Sequence, residues 1–183
     1  SHSLKVRDYF VSHNDDKLDK MTILDKINAN KLIEIEAAKA KVSVEDLESS
    51  VLFDRKCISL RDAILNKSGI IAEFKRQSPS KGVINGVSKP EDVAIAYENA
   101  GVSAMSCLTD LNYFGGTFAD LKAVRAAVEL PVLRKDFMLD EYQLLEAKSI
   151  GADIILLIAS SLSVAKTNEM AKAAKALGLN VLL

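Results

Sequence analysis

Histidine is almost missing from this chain. Two are present, His2 and His13, both within the first twenty residues. The remainder can build neither a histidine-based metal site nor a serine–histidine–acid triad. Acid–base chemistry there must fall to Lys, Glu or Asp. Cysteine is as scarce. Cys57 precedes a predicted helix and Cys107 lies inside a predicted strand, so both read as buried, reduced thiols rather than a disulfide or a nucleophile. Charge of either sign is not in excess: the formal net charge is -1, which gives no reason to expect nucleic acid or an anionic membrane as partner. No apolar run approaches the length of a membrane span. No charged-then-apolar leader opens the chain. These absences make a cytoplasmic protein the expectation. The Gly-x-Gly-x-x-Gly nucleotide pattern is also missing, and nothing in the sequence implies a metal or a cofactor.

What is present is 183 residues, 49% hydrophobic and 27% charged, an ordinary globular composition with material for one sizeable core. Residues 1–20 are polar and lack a sustained period. Ser1-His2-Ser3 reads as a vector-derived scar and Met21 as a natural start; a short helix over Leu4–Val11 is the other option. Residues 21–68 read as a helical extension. Ile23, Leu24, Ile27, Ile35 and Ala38 give Thr22–Lys41 an apolar side. Thr22 with Asp25, Ser43 with Asp46, and Ser59 with Asp62 repeat one cap signature. They predict helices over Thr22–Lys41, Val44–Ser49 and Leu60–Asn66.

From residue 69 the pattern alternates strand and helix. Strands are predicted at Ile70–Lys75, Ala104–Leu108, Val132–Asp136, Ile154–Ile158 and Val181–Leu183. Helices are predicted near Pro90–Asn99, Phe118–Val128, Glu141–Ile150 and Val164–Leu177. Pro90 suits a first helical turn. Gly101, Gly151 and Gly178 each follow a helix and precede an apolar residue, a small polar one and a strand. This recurring βα unit predicts a parallel sheet wrapped by helices. Two architectures fit: a TIM barrel with its chemistry at the C-terminal strand ends, or an open doubly wound sheet of five strands.

One stretch carries unusual chemistry: Ile70 to Gly82, Ile-Ile-Ala-Glu-Phe-Lys-Arg-Gln-Ser-Pro-Ser-Lys-Gly. Strand side chains alternate, so Glu73 and Lys75 share a face. An acid and a base at the end of an apolar strand are costly to bury unless they pair or do chemistry. Ser78 and Ser80, stiffened by Pro79, form a loop able to hold a polar or anionic ligand over the strand end.

This stretch closely resembles the first barrel strand of the indole-3-glycerol phosphate synthase family. Leu108-Thr109-Asp110 with Tyr113-Phe114-Gly115-Gly116, and Pro131-Val132-Leu133-Arg134-Lys135-Asp136-Phe137, resemble the next two strand-end motifs, in the same order. The resemblance covers roughly Met21 to Leu183 and implies a TIM (β/α)8 barrel, preceded by a helical extension that covers one barrel end. The implied reaction converts a carboxyphenylamino-deoxyribulose phosphate to indole-3-glycerol phosphate, with loss of carbon dioxide and water. It needs a cation for the carboxylate, an acid for the carbonyl oxygen and a base for a proton.

By resemblance, Lys135 is the general acid, Lys75 contacts the substrate carboxylate, and Glu73 holds the amino nitrogen, acts as base or tunes the lysines. Structural ion pairing remains open for all three. Ser78, Pro79 and Ser80 match the loop beside the phosphate-bearing part of the substrate. Phe114 and Phe137 match aromatics that hold the anthranilate ring, and Leu157 is a candidate for the pocket floor. Arg134 and Asp136 should face away from Lys135 in structural roles.

A TIM barrel is built from eight βα units over about 250 residues, and five strands are found. The reading is therefore a C-terminally truncated chain, lacking later strands and most phosphate anchorage, with little or no turnover of its own. Its alternative is a catalytically inactive partial barrel that self-associates through exposed edges as a folding or assembly module. Another phosphate-binding barrel of the pathway, the phosphoribosylanthranilate isomerase, is disfavoured by the Glu73, Lys75, Ser78 and Lys135 pattern.

Overall fold

The computed structural model describes residues 21–183. The predicted tail, its helix option and both histidines lie outside the described residues. Helix α1 (Ile23–Lys39) opens on a reciprocal capping box: the Asp25 amide donates to the Thr22 hydroxyl at 3.1 Å, and the Thr22 amide donates to the Asp25 carboxylate at 2.9 Å. Helix α2 (Val44–Glu48) repeats the device with Ser43 and Asp46. Helix α3 (Leu60–Asn66) starts where the Ser59 hydroxyl accepts from the Asp62 amide at 3.1 Å. Each device gives a partner to an amide that the helix itself leaves free.

The βα region begins with β1 (Ile71–Phe74), then β2 (Gln77–Ser78) and β3 (Gly82–Val83). It continues with α4 (Pro90–Asn99), β4 (Ala104–Leu108), the short α5 (Leu111–Phe114), α6 (Phe118–Ala127) and β5 (Val132–Lys135). It closes with α7 (Tyr142–Ser149), β6 (Ile154–Leu156), α8 (Val164–Ala176) and β7 (Asn180–Leu182). Strands β1, β4, β5, β6 and β7 form one parallel sheet in that order.

Every strand and helix predicted within residues 21–183 is present, most a residue or two shorter. Lys75, Asp136 and Ile158 fall just beyond their strands, where the ladder yields to loops. Two features went unpredicted. The antiparallel pair β2–β3 is too short to show a period, and Gly82 turns it at φ 63°. Helix α5 is a single turn, started where the Tyr113 amide donates to the Asp110 carboxylate at 2.8 Å and stopped by Gly115 at φ 66°.

The strand order decides between the two architectures. A doubly wound sheet reverses its order at a switch point and carries helices on both faces. Here the order runs monotonically. Residues of all four crossover helices (Ala94, Leu121, Leu144 and Met170) join one core with Phe74, Met105, Cys107, Val132, Ile155 and Leu157. The helices thus lie on one face, as in a barrel wall. The opposite face carries Ala104, Leu133 and Ile154, with Ile71, Leu156 and Leu182 beside them and Leu60 of α3 packed in. The doubly wound alternative is therefore set aside.

Below the sheet, Asp153 is fully buried and saturated. It accepts from Arg55 at 2.6 Å, Arg125 at 2.8 Å, and the amides of Ile58 and Val132 at 2.7 and 2.9 Å. Above it, α1 lies across the ends of the strands. Tyr142 of α7 donates its hydroxyl to the Val42 carbonyl at 2.8 Å, and Lys39 pairs with Asp140 at 2.8 Å. The buried Lys31 ammonium reaches Asp110 at 2.9 Å and Asp136 at 3.0 Å.

Candidate active site

Residue parity builds the site. Glu73 and Lys75 leave β1 on the face opposite Phe74, and Lys135 leaves β5 on the face opposite Arg134. The three meet over the C-terminal strand ends. Glu73 Oε2 accepts from Lys135 Nζ at 3.0 Å, and Glu73 Oε1 pairs with Lys75 Nζ at 3.2 Å. Ser106 on β4 stands opposite Glu73 in the strand register and donates its hydroxyl to Glu73 Oε2 at 3.1 Å. Burial pushes the Glu73 carboxyl up, but the Lys135 ammonium, Lys75 and Ser106 outweigh it and hold it below the usual carboxylate range.

These charges line a recess of about 70 Å³, with Leu108, Phe114, Asp136, Phe137 and Ile158 as the other walls. The Phe114 and Phe137 rings stand 6.1 Å apart, tilted by 35°. Phe114 reaches the recess because α5 ends in the Gly115–Gly116 turn. A Cβ at Gly116 would stand 2.1 Å from the Leu108 carbonyl oxygen, so only glycine fits that approach.

Ser78, Pro79 and Ser80 line a neighbouring recess of about 430 Å³, with Ile23 and Ile27 of α1, Lys81 and Ile84. Lys75 and Phe114 line both recesses, so the two are continuous at those side chains. Ser78 also shapes its loop, since its hydroxyl accepts from the Lys81 amide at 3.3 Å. A larger, mostly apolar groove of about 530 Å³ runs between Val42–Val44, α7 and α8. It brings no acid and base together at a strand end, so chemistry rather than size selects the site.

One expected floor residue is elsewhere. Leu157 is buried in the helix-side core. Ile158, the next residue, takes the wall position. Side chains alternate, so a one-residue error in phase moves a residue to the other face.

The residues flanking Lys135 turn away from it. The Arg134 guanidinium stacks 4.7 Å from the Phe118 ring centre and pairs with Asp136 at 3.2 Å and Glu146 at 3.1 Å. Asp136 also accepts from the Thr109 hydroxyl at 2.7 Å. Burial pushes the Asp136 carboxyl up, yet the charges of Arg134 and Lys31 hold it below its ordinary value. Burial likewise pushes the Lys31 ammonium down, and Asp136, Asp110 and Glu34 together hold it above its ordinary value.

Three contributors escaped the sequence reading: Ser106, Ile158 and Lys31. Strand parity could have found Ser106 and Ile158. Nothing in an amphipathic helix marks one lysine of several as the buried one. Among the described residues, no group of three or more His, Cys, Asp and Glu side chains could hold a metal ion. No described helix is long and apolar enough to cross a membrane.

Parallel βα units with an acid and two lysines gathered at the C-terminal strand ends define a TIM-barrel protein with a strand-end site. The family model described as indole-3-glycerol phosphate synthase matches residues 24–183. A Bacteroides thetaiotaomicron protein named indole-3-glycerol phosphate synthase is 46% identical over 162 residues, 88% of this chain and 62% of its own length. One of the same name from Neisseria meningitidis serogroup B is 45% identical over 166 residues, 88% of this chain and 64% of its own. The chain belongs to the indole-3-glycerol phosphate synthase family. It spans a little over three fifths of the length of these curated relatives.

Proposed function

We propose that the strand-end site takes 1-(2-carboxyphenylamino)-1-deoxyribulose 5-phosphate and closes it to indole-3-glycerol phosphate, with decarboxylation and dehydration, in cytoplasmic tryptophan biosynthesis. The observation that carries this reading is one carboxylate, Glu73, held between two ammonium groups, Lys75 and Lys135, beside a pair of aromatic rings. Lys135 is positioned to protonate the carbonyl oxygen as the ring closes. Lys75 anchors the substrate carboxylate and assists dehydration. Glu73 accepts a proton or holds the amino nitrogen; the neighbouring ammonium groups keep it ionised, which favours holding the nitrogen over taking a proton. Phe114 and Phe137 grip the anthranilate ring. Ser78, Pro79 and Ser80, in the adjoining recess, lie along the phosphate-bearing arm. Residues 21–68 act as a cover for the barrel end, and residues 69–183 carry the reacting groups.

Little turnover is expected of the partial barrel, so the test is substrate binding and residual product formation by the wild-type chain beside Lys135→Ala. Loss of a positioned general acid lowers the rate by roughly 10²–10⁴-fold. Equal rates would remove Lys135 from the chemistry. A second reading is supported by the outer strands: β1 and β7 each pair on one side only within the described sheet. Unpaired edges are templates for another chain. In this reading the chain is an assembly module that self-associates along these edges. Absent product together with a light-scattering mass above that of one chain would favour it.

A further inference from the structure

We propose that Ser106 is a positioning residue, whose hydroxyl holds the Glu73 carboxylate in the orientation that faces Lys135 across the pocket. This deepens the reading of the strand-end site as catalytic and rests on it. Strand parity sets the direction of the Ser106 side chain. On β4, Met105 and Cys107 enter the helix-side core, so Ser106 points to the other face. The register sets Ser106 directly opposite Glu73. Ser106 is 3% exposed, and its one side-chain hydrogen bond among the described residues runs to Glu73 Oε2, at 3.1 Å. A buried hydroxyl without a partner is costly, and here the partner is a carboxylate on the neighbouring strand.

Three side-chain donors meet Glu73, and they differ in kind. Lys135 and Lys75 bring ammonium groups on long stems, with side chains 33% and 34% exposed. Both are the groups the substrate would recruit, Lys75 for a carboxylate and Lys135 for a proton. Once recruited, they no longer fix Glu73. Ser106 is neutral, fixed to the middle of a strand, and does not titrate near neutral pH. It alone can keep Oε2 aimed into the pocket through such a step. Other groups nearby do not replace it. Asp136 lines the recess, but its carboxylate is engaged by Lys31, Arg134 and Thr109. The Cys107 thiol, on the other face, is pushed up to about 12 by burial and stays neutral. Tyr97 of α4 reaches only the Glu73 main-chain carbonyl, at 3.3 Å.

The test follows the Glu73 carboxyl carbon by NMR titration in the wild-type chain, Ser106→Ala and Ser106→Thr. Removing the donor should raise the Glu73 midpoint by roughly half a unit to one unit, and Ser106→Thr, which keeps the hydroxyl, should return most of that shift. An unchanged midpoint in a folded Ser106→Ala protein overturns the proposal. Should Ser106→Ala not fold, Ser106→Gly leaves space instead of a methyl group and is read by the same two outcomes. Product formation by Glu73→Gln separates the two layers. An unaltered rate there would remove the catalytic reading, and the Glu73 titration would still decide whether Ser106 holds the carboxylate.

Discussion

The Arg134 guanidinium and the Asp136 carboxylate join a buried cluster beside β5, although Asp136 also forms part of the recess wall, and Lys135 between them points into the pocket. In that cluster the side chains of Arg134, Asp136 and Lys31 are at most 5% exposed, and each charge meets several partners. On the pocket side Glu73, Lys75 and Lys135 are each about one-third exposed, and two cations share one anion. The first cluster is saturated; adding a ligand to it would require breaking something. The second has donors to spare and a route to solvent. Ion pairs of similar length therefore sit in different surroundings. What separates them is whether the partners already present exhaust the charges.

The largest loss of stability is expected from Asp136→Ala. That change leaves Lys31 and Arg134 buried with a missing counter-charge. Breaking one partner of such a network costs about 3–5 kcal/mol, read as a lowered midpoint in urea unfolding. A loss below about 1 kcal/mol would mean that the buried cluster is no more structural than a surface pair.

Leu157 and Ile158 carry the same contrast into apolar residues. Leu157→Ala opens a cavity in the helix-side core and should cost about 2–5 kcal/mol in unfolding. Ile158→Ala removes a pocket wall instead. Its larger consequence should be weaker substrate binding, measured by calorimetry, with a smaller loss of stability. Reversed outcomes would mean that the core side and the pocket side of the chain just after β6 have been assigned the wrong way round.

That pair also shows how far the sequence could be read. The cap pairs at Thr22, Ser43 and Ser59 were legible because a cap is local: a hydroxyl and an acid three residues apart satisfy each other wherever the chain goes. The shared face of Glu73 and Lys75 was legible for the same reason, since a period of two needs only one strand. The phase of β6 was not. It depends on Leu133 standing opposite Ile154 in the neighbouring strand, a relation made in space. Lys31 was hidden because a charged residue in an amphipathic helix reads as its solvent side. Its burial is decided by Asp110 and Asp136, which arrive from loops far along the chain. Ser106 was hidden because a small polar residue inside an apolar strand announces no partner.

The pH dependence of stability separates the clusters more gently. Asp136 has a folded value below its ordinary 3.8. Its contribution is complete above about pH 5 and is lost as pH falls through the depressed folded value. Lys31 has a folded value above its ordinary 10.5, so its contribution is complete below that pH and is lost only as pH rises through the folded value. Stability should therefore hold level between these limits and decline on the acid side below about pH 4. Asp136→Asn should flatten that acid limb while lowering the plateau. An acid limb as steep as that of the wild type would assign the dependence to other carboxylates.

The smallest expected effect is the most discriminating. Lys135→Ala removes an ammonium from Glu73, but Lys75 and Ser106 remain on that carboxylate, and the site is open to water. A partly exposed pair contributes about 0–1 kcal/mol, so the unfolding midpoint should scarcely move. Loss of stability comparable to that of Asp136→Ala would show that Lys135 is a structural cation like Arg134, and the contrast between the two faces of β5 would collapse. A midpoint close to wild type, with product formation or substrate binding lost, would mean that the strand spends its lysine on ligand chemistry and leaves folding to the residues on either side.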